Sequence, residues 1–356
     1  MVFPARAELV SFKEAGGVLR ATVRIDGNAY DLDLALLRPA RPAPGAPLFV
    51  ETAPGDDLAP LALSRGFAVL RLDLTKLPGA ARTGALRDLA PRLRGLGAKR
   101  LVANGQGETG AALAEAGALF DGVLLQDAPP TARRAAGSPR IIETWGADAY
   151  WGAGGERPPL GAEPENRRSF FLTGVAPTRA GANCAAPVNG LSPAPALRAL
   201  LAALDDWTKG AKPPGSRAPA ESDLVQAAAL AWPKIPGLSA PPGPSRRAPK
   251  IDADGNELSG LRLPDQALPI ATFTGFNARK DPKGPACAAG AALPFPATKA
   301  EREKTGDPRA SLVERYGSRA YFVATMRVVA DKLVRERLLL KEDADAYVAA
   351  AKQAPF

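Results

Sequence analysis

The sequence predicts an α/β protein whose mostly parallel sheet is flanked by helices. Three observations carry that prediction. Apolar runs of strand length alternate with runs of helical period, the connections between them are short, and a set of alternating apolar–polar segments precedes them. Those first segments are ELVSF, VLRATVRI and AYDLDLALL, separated by Gly16–Gly17 and by Asp26-Gly27-Asn28. Residues 1–40 are therefore expected to form antiparallel β-hairpins. After the Pro-rich break RPARPAPGAP, PLFVET reads as a buried strand, LAPLALSRG as a helix and FAVLRLDLT as a strand. TGALRDLAPRLRGLG then reads as a helix, KRLVAN as a strand, TGAALAEAGAL as a helix and FDGVLLQD as a strand.

Short strand-like runs follow at PRIIET and RRSFFLTGV, and residues 194–207, APALRALLAALDDW, form an apolar helix. Pro, Gly and Ser accumulate from residue 208, and the stretch 208–300 suits a lid or wrapping insertion better than regular elements. Within it, IDADGNELSGLRL reads as a hairpin turning at Asp254-Gly255-Asn256. Residues 301–356 are expected to be helical, and 1–356 to form a single domain.

Composition narrows the function classes. The net charge of +9 is spread along the chain in short clusters such as Arg133–Arg134 and Arg246–Arg247. A nucleic-acid surface would concentrate it beside stacking aromatics, so no nucleic-acid partner is expected. No apolar run reaches the roughly 18–20 residues that span a bilayer, so no membrane partner is expected either. MVFPARAELVSFKEAGG lacks an apolar signal core. The expectation is a cytoplasmic protein by default, or an exported one if a leader has been removed. Cys184 and Cys287 are the only thiols. They form either a disulfide closing a loop of about a hundred residues, worth roughly 4–5 kcal/mol in the chain-entropy view, or two buried free thiols. Asp252-Ala253-Asp254-Gly255-Asn256 resembles part of a calcium loop but lacks the downstream glutamate at the required spacing. No metal and no cofactor is expected.

The informative stretch is Arg100-Leu101-Val102-Ala103-Asn104-Gly105-Gln106-Gly107-Glu108-Thr109-Gly110, an apolar strand entering a glycine-rich turn and then an alanine-rich helix. It completes neither a Walker loop nor a G-x-G-x-x-G fingerprint. Strand–G-x-S-x-G–helix is the nucleophile elbow of α/β-hydrolases, and this turn is similar to it. Gly105 keeps the small position before the turn, Thr109 stands where the last glycine would be, and the centre is Gly107. Glycine tolerates the strained backbone there but supplies no nucleophile.

NCAAPVN, ALRALLAALDDW, PPGSRAP, IDADGNELSGLRLP, LPIATFTGFNAR, LPFPAT, DPRASLVERYGS and LLLKEDADAYV occur in that order. Together they resemble the C-terminal half of a bacterial family of α/β-hydrolase-domain proteins, over about 170 residues from Cys184 onward. The resemblance implies an α/β-hydrolase fold and a serine-hydrolase ancestry acting on esters or related acyl compounds. It implies an acid at Glu143, with Asp148 as runner-up, and a histidine in a G-x-x-H setting where this chain has Gly174-Val175-Ala176-Pro177. Pro177 can neither accept nor donate a proton, and the chain contains no histidine at all. Gly107, Glu143 and Pro177 are thus the vestigial triad positions.

Other chemistries fare worse. Glu108 at the helix start is favoured in its ionised form by the helix dipole, which makes it a poor base. The expected function is a non-catalytic scaffold binding a small acyl or aromatic ligand or a protein partner. Gly105, Gln106, Glu108, Trp145, Tyr150 and Trp151 are the pocket candidates, and Trp207 and Trp232 belong to core or lid. The alternatives are an ester hydrolase whose Glu108 or Glu143 activates water, and a structural subunit of an active paralogue. The sequence carries no sign of oligomeric state.

Overall fold

A computed structural model of the chain describes residues 7–15, 18–41, 44–52, 58–129, 139–151, 157, 159–177, 183–238 and 246–356. Where the sequence predicts one domain, the chain divides into two compact units. The first comprises Met1–Thr144, Pro164–Arg168 and Leu200–Pro213; the second comprises Trp145–Glu163, Ser169–Ala199 and Pro214–Phe356.

The predicted hairpins are β1 (Ala7–Ala15), β2 (Val18–Ile25) and β3 (Asn28–Leu37), paired antiparallel in sequence order. Asp26 and Gly27 join β2 to β3 with φ of 48° and 87°. Two successive positive φ values form the turn whose twist matches the flanking strands. Gly16–Gly17 lies outside the described residues. Strands β4 (Leu48–Glu51), β5 (Ala68–Leu72), β6 (Leu101–Gln106), β7 (Gly122–Gln126), β8 (Arg140–Gly146) and β9 (Arg167–Leu172) complete a nine-stranded sheet. Its order is β1-β2-β3-β5-β4-β6-β7-β8-β9. Pairing turns parallel at β5–β4 and stays so through β6, β7 and β8.

The intervening helices are α1 (Leu58–Ser64), α2 (Gly79–Gly95) and α3 (Gly107–Glu115). β4 and β7 are buried at every residue, as strands covered on both faces must be. Val50, Leu70, Leu101, Ala103, Val123 and Leu125 meet Leu86, Leu89 and Leu93 of α2 and Leu113 of α3 in one core.

Helix α4 (Asp148–Trp151) follows β8, and α5 (Ala194–Thr208) is the helix read from ALRALLAALDDW. Its C-terminal part, in the first unit, carries Asp205, which accepts from Arg100 Nη1 at 2.7 Å and from Lys209 Nζ at 2.6 Å.

The second unit replaces long elements by short, stapled ones. β10 (Leu224–Gln226) pairs with β11 (Arg247–Pro249), α6 (Pro264–Ala267) follows, and β12 (Ala271–Phe273) pairs with β13 (Ala292–Pro294). Buried Arg309 ties the second pair, donating to Thr272 Oγ1 at 2.9 Å, Leu293 O at 2.8 Å and Pro294 O at 3.0 Å. Asp307 neutralises it at 2.6 Å. A disulfide joins Cys184 to Cys287, with Cα atoms 5.1 Å apart. The chain ends in α7 (Lys299–Thr305), α8 (Leu312–Tyr316), α9 (Arg319–Arg335) and α10 (Lys341–Ala351). Tyr316, Phe322, Met326 and Val348 form their shared core. Among the described residues, no helix is long and apolar enough to cross a membrane.

Candidate functional site

The turn between β6 and α3 is built by its neighbours. β6 is buried from Leu101 to Gly105 and emerges at exposed Gln106. Gly107 follows with φ +52°, a conformation that L side chains seldom adopt. Among the described residues, chain neighbours aside, a Cβ placed on Gly107 would meet no atom within 4 Å. The centre of the turn is therefore strained in backbone yet open in space.

Its flanks are the reverse. A Cβ on Gly105 would lie 2.6 Å from Leu113 Cδ1 and 2.8 Å from Thr52 Oγ1, and one on Gly110 would lie 2.9 Å from Gly105 O. The close crossing of strand and helix thus rests on Gly105 and Gly110. Thr109 still stands where the last glycine of a G-x-S-x-G turn would be. It closes the turn, its Oγ1 accepting from Gln106 N at 3.1 Å and donating to Gln106 O at 3.0 Å.

The strand ends beside the turn are locked by buried polar contacts. Thr52 N and Oγ1 both donate to Asn104 O at 3.0 Å, and Gln126 Nε2 donates to Asn104 Oδ1 at 2.7 Å. Asp127, directly after β7, has φ +47° and donates its N–H to Thr144 O at 2.8 Å. Its Oδ2 lies 3.5 Å from Gln106 Nε2, which places at the turn a carboxylate that sequence reasoning misses. The signal for it is weak, since an Asp closing an apolar strand usually belongs to a turn. Glu108 is exposed in the first turn of α3. Residues 53–57, which follow β4, lie outside the described residues.

Glu143 is the fourth residue of β8 and is 2% exposed. The expectation of a strand-end acid is corrected: it sits inside the strand, and Arg167 Nη1 donates to its Oε2 at 2.9 Å. Both partners of that ion pair are buried, so the charge of Glu143 is already matched.

The remaining candidates belong to the second unit. Trp145, Tyr150 and Trp151 are buried and pack with Phe171, Leu224 and Phe276. Trp145 Nε1 donates to Tyr150 Oη at 3.3 Å, Tyr150 packs edge-on to Phe171, and Trp151 packs edge-on to Phe276 and Trp232. These rings fill a core, which corrects their expected role as pocket lining. Trp207, in the first unit, is also buried, with the guanidinium of Arg140 over its ring.

Pro177 is exposed after the turn that follows β9. That turn is held at Gly174, φ +70°, whose N–H donates to Glu257 Oε2 at 2.8 Å and whose carbonyl accepts from Asn189 Nδ2 at 2.6 Å. Burial pushes the Glu257 carboxyl from an ordinary 4.5 up to about 8; the Gly174 N–H opposes this, and Asp148 adds to it. Asp252 spends its Oδ1 on the N–H groups of Asp254 and Asn256, both at 2.9 Å, and Asp254 pairs with Arg315 at 2.7 Å. That segment closes a hairpin bridged at Ile251 and Glu257. Among the described residues no cluster of His, Cys, Asp and Glu could hold a metal ion.

The turn at Gly107 can thus present helix N–H groups and open space, but no nucleophile. Parts of the chain are similar to solved structures. A glucuronoyl esterase of carbohydrate esterase family 15 from Caldicellulosiruptor kristjansonii is similar at 16% identity, over 34% of this chain and 44% of its own, with a TM-score of 0.28. This chain therefore spans under half of that esterase. Est1E from Butyrivibrio proteoclasticus is similar at 11% identity over 36% of this chain and 77% of its own, with a TM-score of 0.29. A serine hydrolase without a lid from Xanthomonas campestris is similar at 15% identity over 41% and 73%, with a TM-score of 0.28. No curated protein matches the chain. A family model described as alpha/beta hydrolase domain matches residues 156–349, a segment that begins after the Gly107 turn. With more than half its length so matched, the chain belongs to the alpha/beta hydrolase domain family.

Proposed function

We propose that this protein is a pseudoenzyme, an α/β-hydrolase scaffold with a degenerate triad that binds a small acyl or aromatic ligand or a protein partner without turning it over. One observation carries the reading. Gly107 holds φ +52° with open space among the described residues where its side chain would stand, in a chain that contains no histidine. An elbow stores backbone strain to aim a serine at substrate, and a base near neutral pKa must take that serine's proton. Here the turn keeps its shape after losing both.

A water-activating glutamate has less support. Glu143 is buried inside β8 and ion-paired with Arg167. Glu108 is exposed to solvent in the first turn of α3. Ligands of open α/β sheets bind beyond the carboxyl ends of the strands, and Gly107 and Asp127 directly follow the ends of β6 and β7.

The test uses the purified full chain with p-nitrophenyl acyl esters and, separately, thermal shift with acyl and aromatic carboxylates. The expected result is a ligand-dependent rise in melting temperature with no turnover above buffer. Ester turnover that persists through purification and disappears in Glu108→Gln or Glu143→Gln would overturn the reading.

A further inference from the structure

The second unit contains a cleft of ≈ 440 Å³ lined by Ser216, Arg217, Ala218, Asp223, Lys250, Leu258, Ser259 and Gly260. That volume lies within the range that holds small organic ligands. We propose that it is a binding site for a small hydroxy-carboxylate.

The walls are fixed by backbone contacts. Arg217 N donates to Ser169 O at 2.9 Å and its carbonyl accepts from Phe171 N at 2.8 Å, which anchors one wall to β9. Lys250 N donates to Asp223 O at 2.9 Å, and Lys250 O accepts from Leu258 N at 2.9 Å, which anchors the opposite wall at both peptide groups. Gly260 takes φ +109°, where a Cβ would lie 2.6 Å from Phe171 Cδ1 and 2.7 Å from Phe171 O, so the floor closes directly on the strand. Such a cleft is preformed, and its ligand need not order it.

Its polar groups are unevenly satisfied. The Ser259 hydroxyl is buried and finds no hydrogen-bond partner, although its carbonyl accepts from Thr173 Oγ1 at 3.0 Å. A buried hydroxyl left without a partner is unfavourable until something supplies one. No ion pair or hydrogen bond involves the ammonium of Lys250 among the described residues. Arg217 reaches Glu336 only at 3.3 Å, with about half of its side chain exposed, so part of its donor fork stays open. An ammonium and a guanidinium on residues that line one cleft make donors for a carboxylate.

Asp223 sets the rest of the ligand. Its Oδ2 accepts from Ala220 N at 2.8 Å and caps its own turn. Asp223 is among the residues that line the cleft. An acidic wall beside the cations disfavours a dianion and offers acceptors to hydroxyl groups next to the bound carboxylate. Ser216 Oγ is already engaged with Glu163 and with the N–H of Ser169, so it adds shape more than donors.

The experiment is calorimetric titration of the full chain with three probes: gluconate, sorbitol and hexanoate. Gluconate is expected to saturate one site, with sorbitol and hexanoate each weaker by about tenfold or more. Lys250→Gln is expected to weaken gluconate about tenfold and Ser259→Ala less, while Asp223→Asn lowers the preference for gluconate over hexanoate. Circular dichroism establishes that each variant is folded, and a misfolded Asp223→Asn leaves the Lys250→Gln and Ser259→Ala arms to decide. No saturable gluconate binding, equal binding of sorbitol, or gluconate affinity unchanged in Lys250→Gln would overturn the proposal. None of these outcomes bears on the Gly107 turn, which carries no residue of this cleft.

Discussion

At the scale of single residues, Gly107 and its flanking glycines answer to different forces. A side chain at Gly107 costs only the strain of φ +52°, on the order of 1–2 kcal/mol, because space is open there. An alanine at Gly110 meets the carbonyl of Gly105 at 2.9 Å and must push strand and helix apart, at about 1–3 kcal/mol. Gly107→Ser is therefore expected to fold with a melting temperature lowered by a few degrees and to stay inactive on esters, since the chain offers no histidine. Gly110→Ala is expected to lower it at least as far. Denaturant melts of both variants check the order; a Gly107→Ser protein that fails to fold would show that the turn is not an open elbow. The strand–turn–helix around Gly107 is legible in the sequence because strand, glycines and helix occur in fixed order. Asp127 is not, because only the parallel pairing of β6 with β7 brings its carboxylate to Gln106.

Elements show where pattern and environment part company. Alternation and period located β1 through β7 and α5, because burial on one or two faces writes itself into the order of apolar residues. The same pattern says nothing about which apolar face meets which. Trp145, Tyr150 and Trp151 therefore read as pocket candidates, and their ring contacts with Phe171, Phe276 and Trp232 place them in a core. Glu143 illustrates the point for charge. PRIIET places it near a strand end, but β8 runs on to Gly146 and leaves it inside, where it is ion-paired with Arg167. Removing one partner of a buried pair leaves an uncompensated charge and costs roughly 3–5 kcal/mol. Arg167→Met is expected to destabilise by that order, whereas Arg167→Met combined with Glu143→Leu recovers most of the loss. Urea melts of the single and double variants measure it, and equal stability of Arg167→Met and the native chain would sink the idea that the pair is structural.

For the whole molecule, the balance of titrating groups sets a pH dependence unusual for a protein without histidine. Glu257 is buried and its carboxyl sits at about 8 instead of an ordinary 4.5. Asp265 is raised by burial to about 6 from 3.8, against hydrogen bonds from Tyr347 and backbone N–H groups that pull it down. A raised carboxyl means that the folded chain prefers the protonated form. Its contribution is complete below the unfolded value and is lost as pH climbs through the folded one. Asp265 therefore withdraws stability between about pH 4 and 6, and Glu257 between about 4.5 and 8. Exposed Glu314 works in the other direction: the hydrogen bond from Arg302, with those from Ser311, lowers it from 4.5 to about 2, so its contribution is lost as pH falls through that interval. Stability is thus expected to decline from mildly acidic pH toward pH 8. Glu257→Gln isolates the larger part, since an amide oxygen can still accept from Gly174 N while nothing titrates. Relative to the native chain, Glu257→Gln is expected to gain stability steadily above pH 5. The gain at pH 8 is on the order of a few kcal/mol, because each tenfold change in proton affinity corresponds to about 1.4 kcal/mol. Thermal melts of both proteins from pH 4.5 to 8.5 test this, and parallel curves would mean that Glu257 is ionised in the folded protein throughout that range.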